Sequence, residues 1–266
     1  MPLITMTTDF GLSDGYVGAM KGVILSIAPE TTIVDITHDI QPHAIVQAAF
    51  VVAAVAPYFP SGTIHLVVVD PGVGSERRAI AVQTKKATFV APDNGVLTFI
   101  LRPLTEETGP PAKIIQLTRR KYWLSKVSST FHGRDIFAPV AAHLAAGVSF
   151  SKLGKPIDDP VLLDLPQPRQ ISDGSLQGHV IYVDRFGNLV TDIPAAWLGG
   201  SREWQVEVAG RTVRQLSPTY ADVARGQLLA LIGSAGLLEL AVREGSAALM
   251  LGIGIGAPVI VRPGSA

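Results

Sequence analysis

The chain contains no cysteine, which excludes disulfide scaffolds, thiolate metal sites and cysteine nucleophiles together. It also lacks a charge excess: 22 Lys+Arg cancel 22 Asp+Glu. The basic footprint that binding to a phosphate backbone requires is therefore missing, and nucleic acid is not an expected partner. Charged residues reach only 17% while hydrophobic ones reach 47%, a balance that commits the chain to folding. No apolar run attains the ~18 residues of a membrane span, and the opening MPLITMTTDF has no basic segment ahead of a long apolar one. A soluble, cytoplasmic protein with no membrane partner is expected. Neither G-x-G-x-x-G nor G-x-x-x-x-G-K-[ST] occurs, so the common nucleotide loops are unsupported; the late GIGIGAP reads as a strand bend.

What is present is an alternation of apolar runs. At 266 residues the chain suits two domains. In the first half, Leu3 to Thr7, Thr32 to Ile36, Ile64 to Val69, Arg78 to Gln83, Thr88 to Ala91 and Lys113 to Leu117 read as strands. Between them Val17, Met20, Ile24 and Ile27 recur at helical spacing behind a Ser13 cap, Ala44 to Ala56 forms a second helix, and Asp135 to Ala146 a third. This pattern predicts an α/β domain with a mainly parallel sheet over residues 1–165. GKPIDDPVLLDLPQPRQISDG, from Gly154 to Gly174, holds four prolines without periodicity and reads as an exposed connection, with the boundary near residue 170. Beyond it Gln177 to Val183, Leu189 to Ile193, Trp204 to Val208, Leu228 to Ile232, Leu237 to Val242 and Pro258 to Val261 are short alternating runs, predicting a smaller all-β barrel or sandwich over 170–266.

Ligands of open α/β sheets sit beyond the carboxyl ends of strands, so polar residues there come first. Asp9 follows the first strand and Asp14 sits at the start of the helix after it; a carboxylate here suits a sugar diol or a cation, or simply closes a turn or favours the helix dipole. Asp70 ends the wholly apolar IHLVVV run, and the glycine-rich turn returns Arg77 and Arg78 seven and eight residues later. Either arginine could pair with that carboxylate and favour an anionic nucleophile beside it, and spacing does not choose between them. STFHGRDIFAP groups His132, a proton carrier near neutral pH, with Arg134 and Asp135; Asp135 either caps the helix or pairs with Arg134. His38 and His43 form an H-x4-H pair with no third ligand in view, and no metal is expected. APDNGVL, with Asn94, and VDRFGNLVTD contain ordinary turn dipeptides, although Phe186 and Asn188 offer the ring and amide suited to a purine.

Taken together, TTDFGLSDGYVGAMKG, DITHDIQPH, VVVDPGVGSERRAI, APDNGVL, FHGRDIFAPVAAHLA, VDRFGNLVTDI and GSAGLLELAVREGSAA closely resemble the S-adenosyl-L-methionine (SAM) hydrolase family, in order and over nearly the whole chain. Its members are also described as SAM hydroxide adenosyltransferases and are relatives of fluorinase and chlorinase. The resemblance implies a homotrimer with sites at subunit interfaces, the reaction of SAM with water to give adenosine and L-methionine, and no cofactor, SAM being the substrate and adenosine a product able to co-purify. It implies a catalytic triad of Asp70, Arg77 and His132, with the Asp-to-Arg interval selecting Arg77. It places Asp9 on the ribose, Asp14, Asp184 and Ser234 on the methionine amino end, and Phe186 and Asn188 on adenine, with Asn94, Glu239, Val242 and Glu244 as further substrate contacts. The halogenating relatives carry Tyr where Asp70 stands and a Tyr-Ser pair for His132-Gly133, so hydroxide is the implied nucleophile. The alternatives are a halogenase using chloride or fluoride and a non-catalytic adenosine- or SAM-binding module. Ala235 departs from the fluorinase pattern, which has there an arginine for the methionine carboxylate, as does His43, where fluorinase has a tryptophan over the ribose.

Overall fold

The computed structural model describes residues 1–105, 112–199 and 203–263, which form two compact units: residues 1–103 with 112–163, and residues 104–105 with 164–199 and 203–263. The first unit is built on β1 (Leu3–Thr8), β2 (Thr32–Thr37), β3 (Thr63–Val68), β4 (Ala79–Gln83), β5 (Ala87–Pro92), β6 (Lys113–Leu117) and β7 (Gly154–Pro156). They form one sheet in the order β2-β1-β3-β5-β4-β6-β7. The stretch β2-β1-β3-β5 is parallel; β4, β6 and β7 then pair antiparallel. The switch follows from the short turn at Thr84, whose N–H donates to the Ala87 carbonyl at 2.9 Å and leaves β4 and β5 as a hairpin.

Among the described residues, four α-helices flank this sheet: α1 (Tyr16–Ile27), α2 (Ile45–Val55), α3 (Thr98–Leu101) and α4 (Ala138–Ala145). The two-residue period of a strand explains how one apolar run serves both faces. In β3 and just beyond, Leu66 and Val68 join the core beneath α1 and α4, while Val67 and Val69 join the one beneath α2. Ser13 does not cap α1; the N-cap is Gly15, because Ser13 lies two positions too early, and Asp14 is exposed outside the helix rather than at its first turn. The third helix begins with one turn of π-helix, Gly133–Phe137, and Asp135 lies inside that turn instead of capping it. The Pro-rich connection also starts later than expected, since Gly154–Pro156 pairs with β6 as an edge strand.

The second unit is an antiparallel sheet of β8 (Arg169–Gln170), β9 (Leu176–Val183), β10 (Leu189–Pro194), β11 (Trp204–Val208), β12 (Arg211–Val213), β13 (Leu228–Ile232), β14 (Leu237–Val242) and β15 (Pro258–Pro263). Its order is β12-β11-β15-β9-β10-β14-β13, with β8 on β9. A Leu216–Ala230 bridge brings the chain after β12 to β13, so the sheet curls nearly into a barrel around Leu189, Val206, Leu240 and Val259. A short helix, α5 (Ala247–Leu251), is capped by Ser246, whose hydroxyl accepts from the Leu249 N–H. The late glycines bend no strand: Gly252 ends α5 and Gly256 turns the chain into β15. Among the described residues no helix is long and apolar enough to cross a membrane.

Candidate active site

Thr8 of β1 lies opposite Val68 of β3 in parallel register, so Asp9 and Asp70 leave neighbouring strands at the same carboxyl edge. The turn after β3 is closed by its own backbone, Val73 N–H to Asp70 carbonyl at 3.1 Å, and returns Arg77 to the carboxylate. Gly74 allows that return, because its φ is +80° and a Cβ there would stand 2.3 Å from the Ser129 carbonyl oxygen. The turn thus lies directly on the loop that carries His132.

Arg77 is the centre of the cluster. Its Nε donates to Asp70 Oδ1 at 2.8 Å, its Nη2 donates to Asp70 Oδ2, and the same Nη2 donates to His132 Nδ1 at 2.8 Å. The guanidinium carbon lies 5.1 Å from the Phe137 ring centroid. Only 10% of the Arg77 side chain and 5% of the Asp70 side chain is exposed, so the pair is held away from bulk screening. An arginine can only donate, so His132 must present a lone pair at Nδ1 and carry its proton on Nε2. Burial first, and then the Arg77 charge, lowers the His132 pKa from its usual value, which keeps the ring neutral at neutral pH.

Arg78 goes elsewhere: its Nε reaches Asp93 Oδ2 at 2.7 Å and its Nη1 reaches Asp159 Oδ1 at 2.7 Å. The choice that spacing left open is therefore settled by side-chain direction, since adjacent residues in extended chain face opposite ways. Beside the cluster lies a cleft of about 410 Å³, walled by Phe10, Tyr16, Phe131 and Arg134 and reaching Asp70 and His132. Phe10, Tyr16 and Phe131 form a ring trio with centroids 5.1 to 5.8 Å apart. These aromatics escape a sequence reading that looks for charge; only their position within TTDFGLSDGY and STFHGRD marks them.

Asp9 accepts the His43 N–H at 2.9 Å, with His43 itself in the left-handed region at φ 69°. His38 does not join His43 as a ligand pair: it is buried, its Nδ1 2.8 Å from Thr8 Oγ1 and its Nε2 3.0 Å from Asp35 Oδ1, whereas His43 is exposed. Asn94 spends both ends of its amide on the chain, donating to the Val69 carbonyl at 2.9 Å and accepting the Val96 N–H at 3.2 Å. It ties β5 to β3 at the carboxyl edge.

In the second unit Asp184 organises the β9–β10 turn. Its Oδ1 accepts the Phe186 and Asn188 N–H groups, both at 2.8 Å, and its Oδ2 accepts the Asn188 side-chain amide at 2.9 Å. Gly187, at φ +81°, lets Ser246 come so close that a Cβ would meet its Oγ at 2.0 Å. Phe186 is left 76% exposed, an unusual setting for a large ring in a well-formed turn. Glu239 of β14 is buried and accepts the Tyr220 hydroxyl at 2.6 Å. Burial, with the Asp184 charge added, pushes its carboxyl above the usual range despite Tyr220. Tyr220 was not foreseen, and nothing in its capping-box sequence singles it out. Ser234 lies exposed in the β13–β14 turn, Glu244 is exposed and paired with Arg225 at 2.9 Å, and Val242 has its side chain in the barrel core.

Comparison with known proteins bears on the family of the chain. The SAM hydroxide adenosyltransferase N-terminal domain matches residues 4–154 and the C-terminal domain matches residues 178–260. An (R)-S-adenosyl-L-methionine hydrolase of Thermus thermophilus is 41% identical over 95% of this chain and 96% of its own, and one of Salinispora tropica is 40% identical over 95% and 94%. A fluorinase of Actinoplanes sp. is 29% identical over 90% of each chain. The solved structure of an uncharacterized conserved protein from Thermotoga maritima superposes with a TM-score of 0.88 at 37% identity, covering 97% of this chain and 99% of that one. With both domains matched in order, the chain belongs to the SAM hydroxide adenosyltransferase family.

Proposed function

We propose that this protein hydrolyses SAM to adenosine and L-methionine by direct displacement at C5′. The sulfonium is already a good leaving group, so the reaction needs no acid to expel it and no cofactor. Water is the difficulty, being a weak nucleophile whose hydroxide is scarce at neutral pH. The observation that carries the reading is the single guanidinium of Arg77 joining Asp70 to His132 beside a cleft. Such a cluster fixes a water in line with the C5′–S bond and supplies positive charge where hydroxide develops. The water oxygen bonds to C5′, the C5′–S electron pair goes to sulfur, and one water proton is released to solvent, carrying away the positive charge that the sulfonium loses. Phe186 and Asn188 suit adenine and Asp9 the ribose hydroxyls.

The halogenase alternative is disfavoured by the relatives, since those named hydrolases are 40–41% identical to this chain and the fluorinase only 29%. We further propose a cytoplasmic homotrimer with sites at its subunit interfaces, the form implied by the family resemblance; light scattering on the purified protein should give three times 28.1 kDa. The test of function is incubation with each sulfonium epimer of SAM, followed by chromatography. Adenosine and methionine should accumulate, faster from the R epimer that the relatives are named for. A 5′-halonucleoside formed with chloride or fluoride would establish the halogenase, and unchanged SAM would leave a binding module.

A further inference from the structure

Arg134 follows the His132–Gly133 pair directly and is the only lysine or arginine on the wall of the cleft that holds Asp70 and His132, among the described residues. Its position is fixed from two sides. Nε lies 2.6 Å from Asp135 Oδ1 and Nη2 lies 3.1 Å from Asp135 Oδ2, while its guanidinium carbon sits 5.0 Å from the Phe131 ring centroid. Asp135 is wholly buried and also accepts the Ser128 N–H at 2.8 Å, so it cannot swing away.

A guanidinium has two edges able to grip a carboxylate with paired N–H groups, a side edge of Nε and one Nη and an end edge of both Nη atoms. Asp135 occupies the side edge. Nη2 gives one N–H to Asp135, while its other N–H and those of Nη1, which together form the end edge, make no hydrogen bond among the described residues, and the side chain is 38% exposed. Arg77 is not available for the same task, because Asp70 and His132 take its Nε and Nη2 and only 10% of its side chain reaches solvent.

We propose that the end edge of Arg134 holds the α-carboxylate of the amino-acid arm of the substrate, with Asp135 and Phe131 setting its plane beforehand. The inference rests on the hydrolase reading and adds to it the group that distinguishes an amino-acid sulfonium from any other adenosyl sulfonium. Preorganisation is what makes the contact effective, since the rotamer freedom of the arginine is already lost before binding.

The test uses binding, so that it does not depend on turnover. Calorimetry compares S-adenosylhomocysteine with its decarboxylated analogue, on wild type, Arg134→Lys and Arg134→Met. Wild type should prefer the carboxylate form by about 10- to 100-fold, the ratio for one charge-assisted, two-pronged contact. Arg134→Met should bring the preference close to 1. Arg134→Lys, which keeps a cation against Asp135 but has no second edge, should retain only a few-fold preference; it carries the test if the Met variant fails to fold. Unchanged adenosine affinity shows that the cleft is intact. Equal binding of the two analogues by wild type, or a preference undiminished in both variants, overturns the proposal. Failure of wild type to release adenosine from SAM, read separately, sinks the hydrolase reading and leaves this result standing on its own.

Discussion

The two units satisfy the carboxylates of their candidate sites in opposite ways. In the first, Asp70 is neutralised by a guanidinium that also grips an imidazole, giving a closed cluster of three side chains. In the second, Asp184 and Glu239 are satisfied by backbone N–H groups, an amide and a phenol, with no cation among their partners. The first arrangement prepares positive charge for a nucleophile that becomes anionic; the second keeps negative charge unspent, as suits polar and cationic parts of a ligand. On the proposed reading, one unit is equipped for chemistry and the other for recognition.

The sharpest way to break that contrast is to remove the first cluster. Asp70→Ala and His132→Ala should each lower kcat by about 10³-fold or more while adenosine affinity moves less than a few-fold. Wild-type rates in both variants would take them out of the mechanism.

Next in size is the response of the units to acid. His65 of β3 is buried, with Nδ1 2.7 Å from Thr5 Oγ1 and its ring stacked on Phe89, and burial lowers its pKa to about 4. The unfolded chain therefore binds a proton that the folded unit refuses, and stability falls as pH drops from 6.5 toward 4, by roughly 3 kcal/mol in total. Glu239 and Asp192 behave in the opposite sense: burial raises both, so the folded second unit gains relative to the unfolded chain as pH falls. Hydrogen exchange at pH 7 and pH 4.5 should show β1 and β3 losing protection while β10 and β14 keep it. Equal loss in both would refute the difference.

Smaller again is Phe186→Ala. The ring is exposed, so stability should hold, while adenosine affinity should fall about 10-fold if the ring stacks on the base. The finest distinction is the acid limb of the pH–rate profile, which His132 should set below the ordinary 6.5. A limb above that value would mean that another group controls it.

Much of the scaffold was legible. IHLVVV could only be a strand buried on both faces, and the carboxyl-edge rule led straight to Asp9 and Asp70. The choice between Arg77 and Arg78 was not legible from spacing, because it depends on which way each side chain leaves the chain after the Gly74 turn. α3 and α5, of four and five residues, are too short to show a period, and β12, of three, too short to alternate. The π-turn at Gly133 was hidden because its extra residue per turn leaves no mark in hydrophobic spacing. Tyr220 reaches Glu239 across 19 positions of sequence, a contact that only the curl of the sheet creates.

The central claim is that the Arg77 cluster serves a water that bonds to C5′ of the substrate. A single turnover of SAM in oxygen-18 water, with mass spectrometry of the nucleoside, examines it without mutation. The account requires one labelled oxygen in the 5′-hydroxyl of adenosine, and adenosine emerging with unlabelled oxygen there would contradict it.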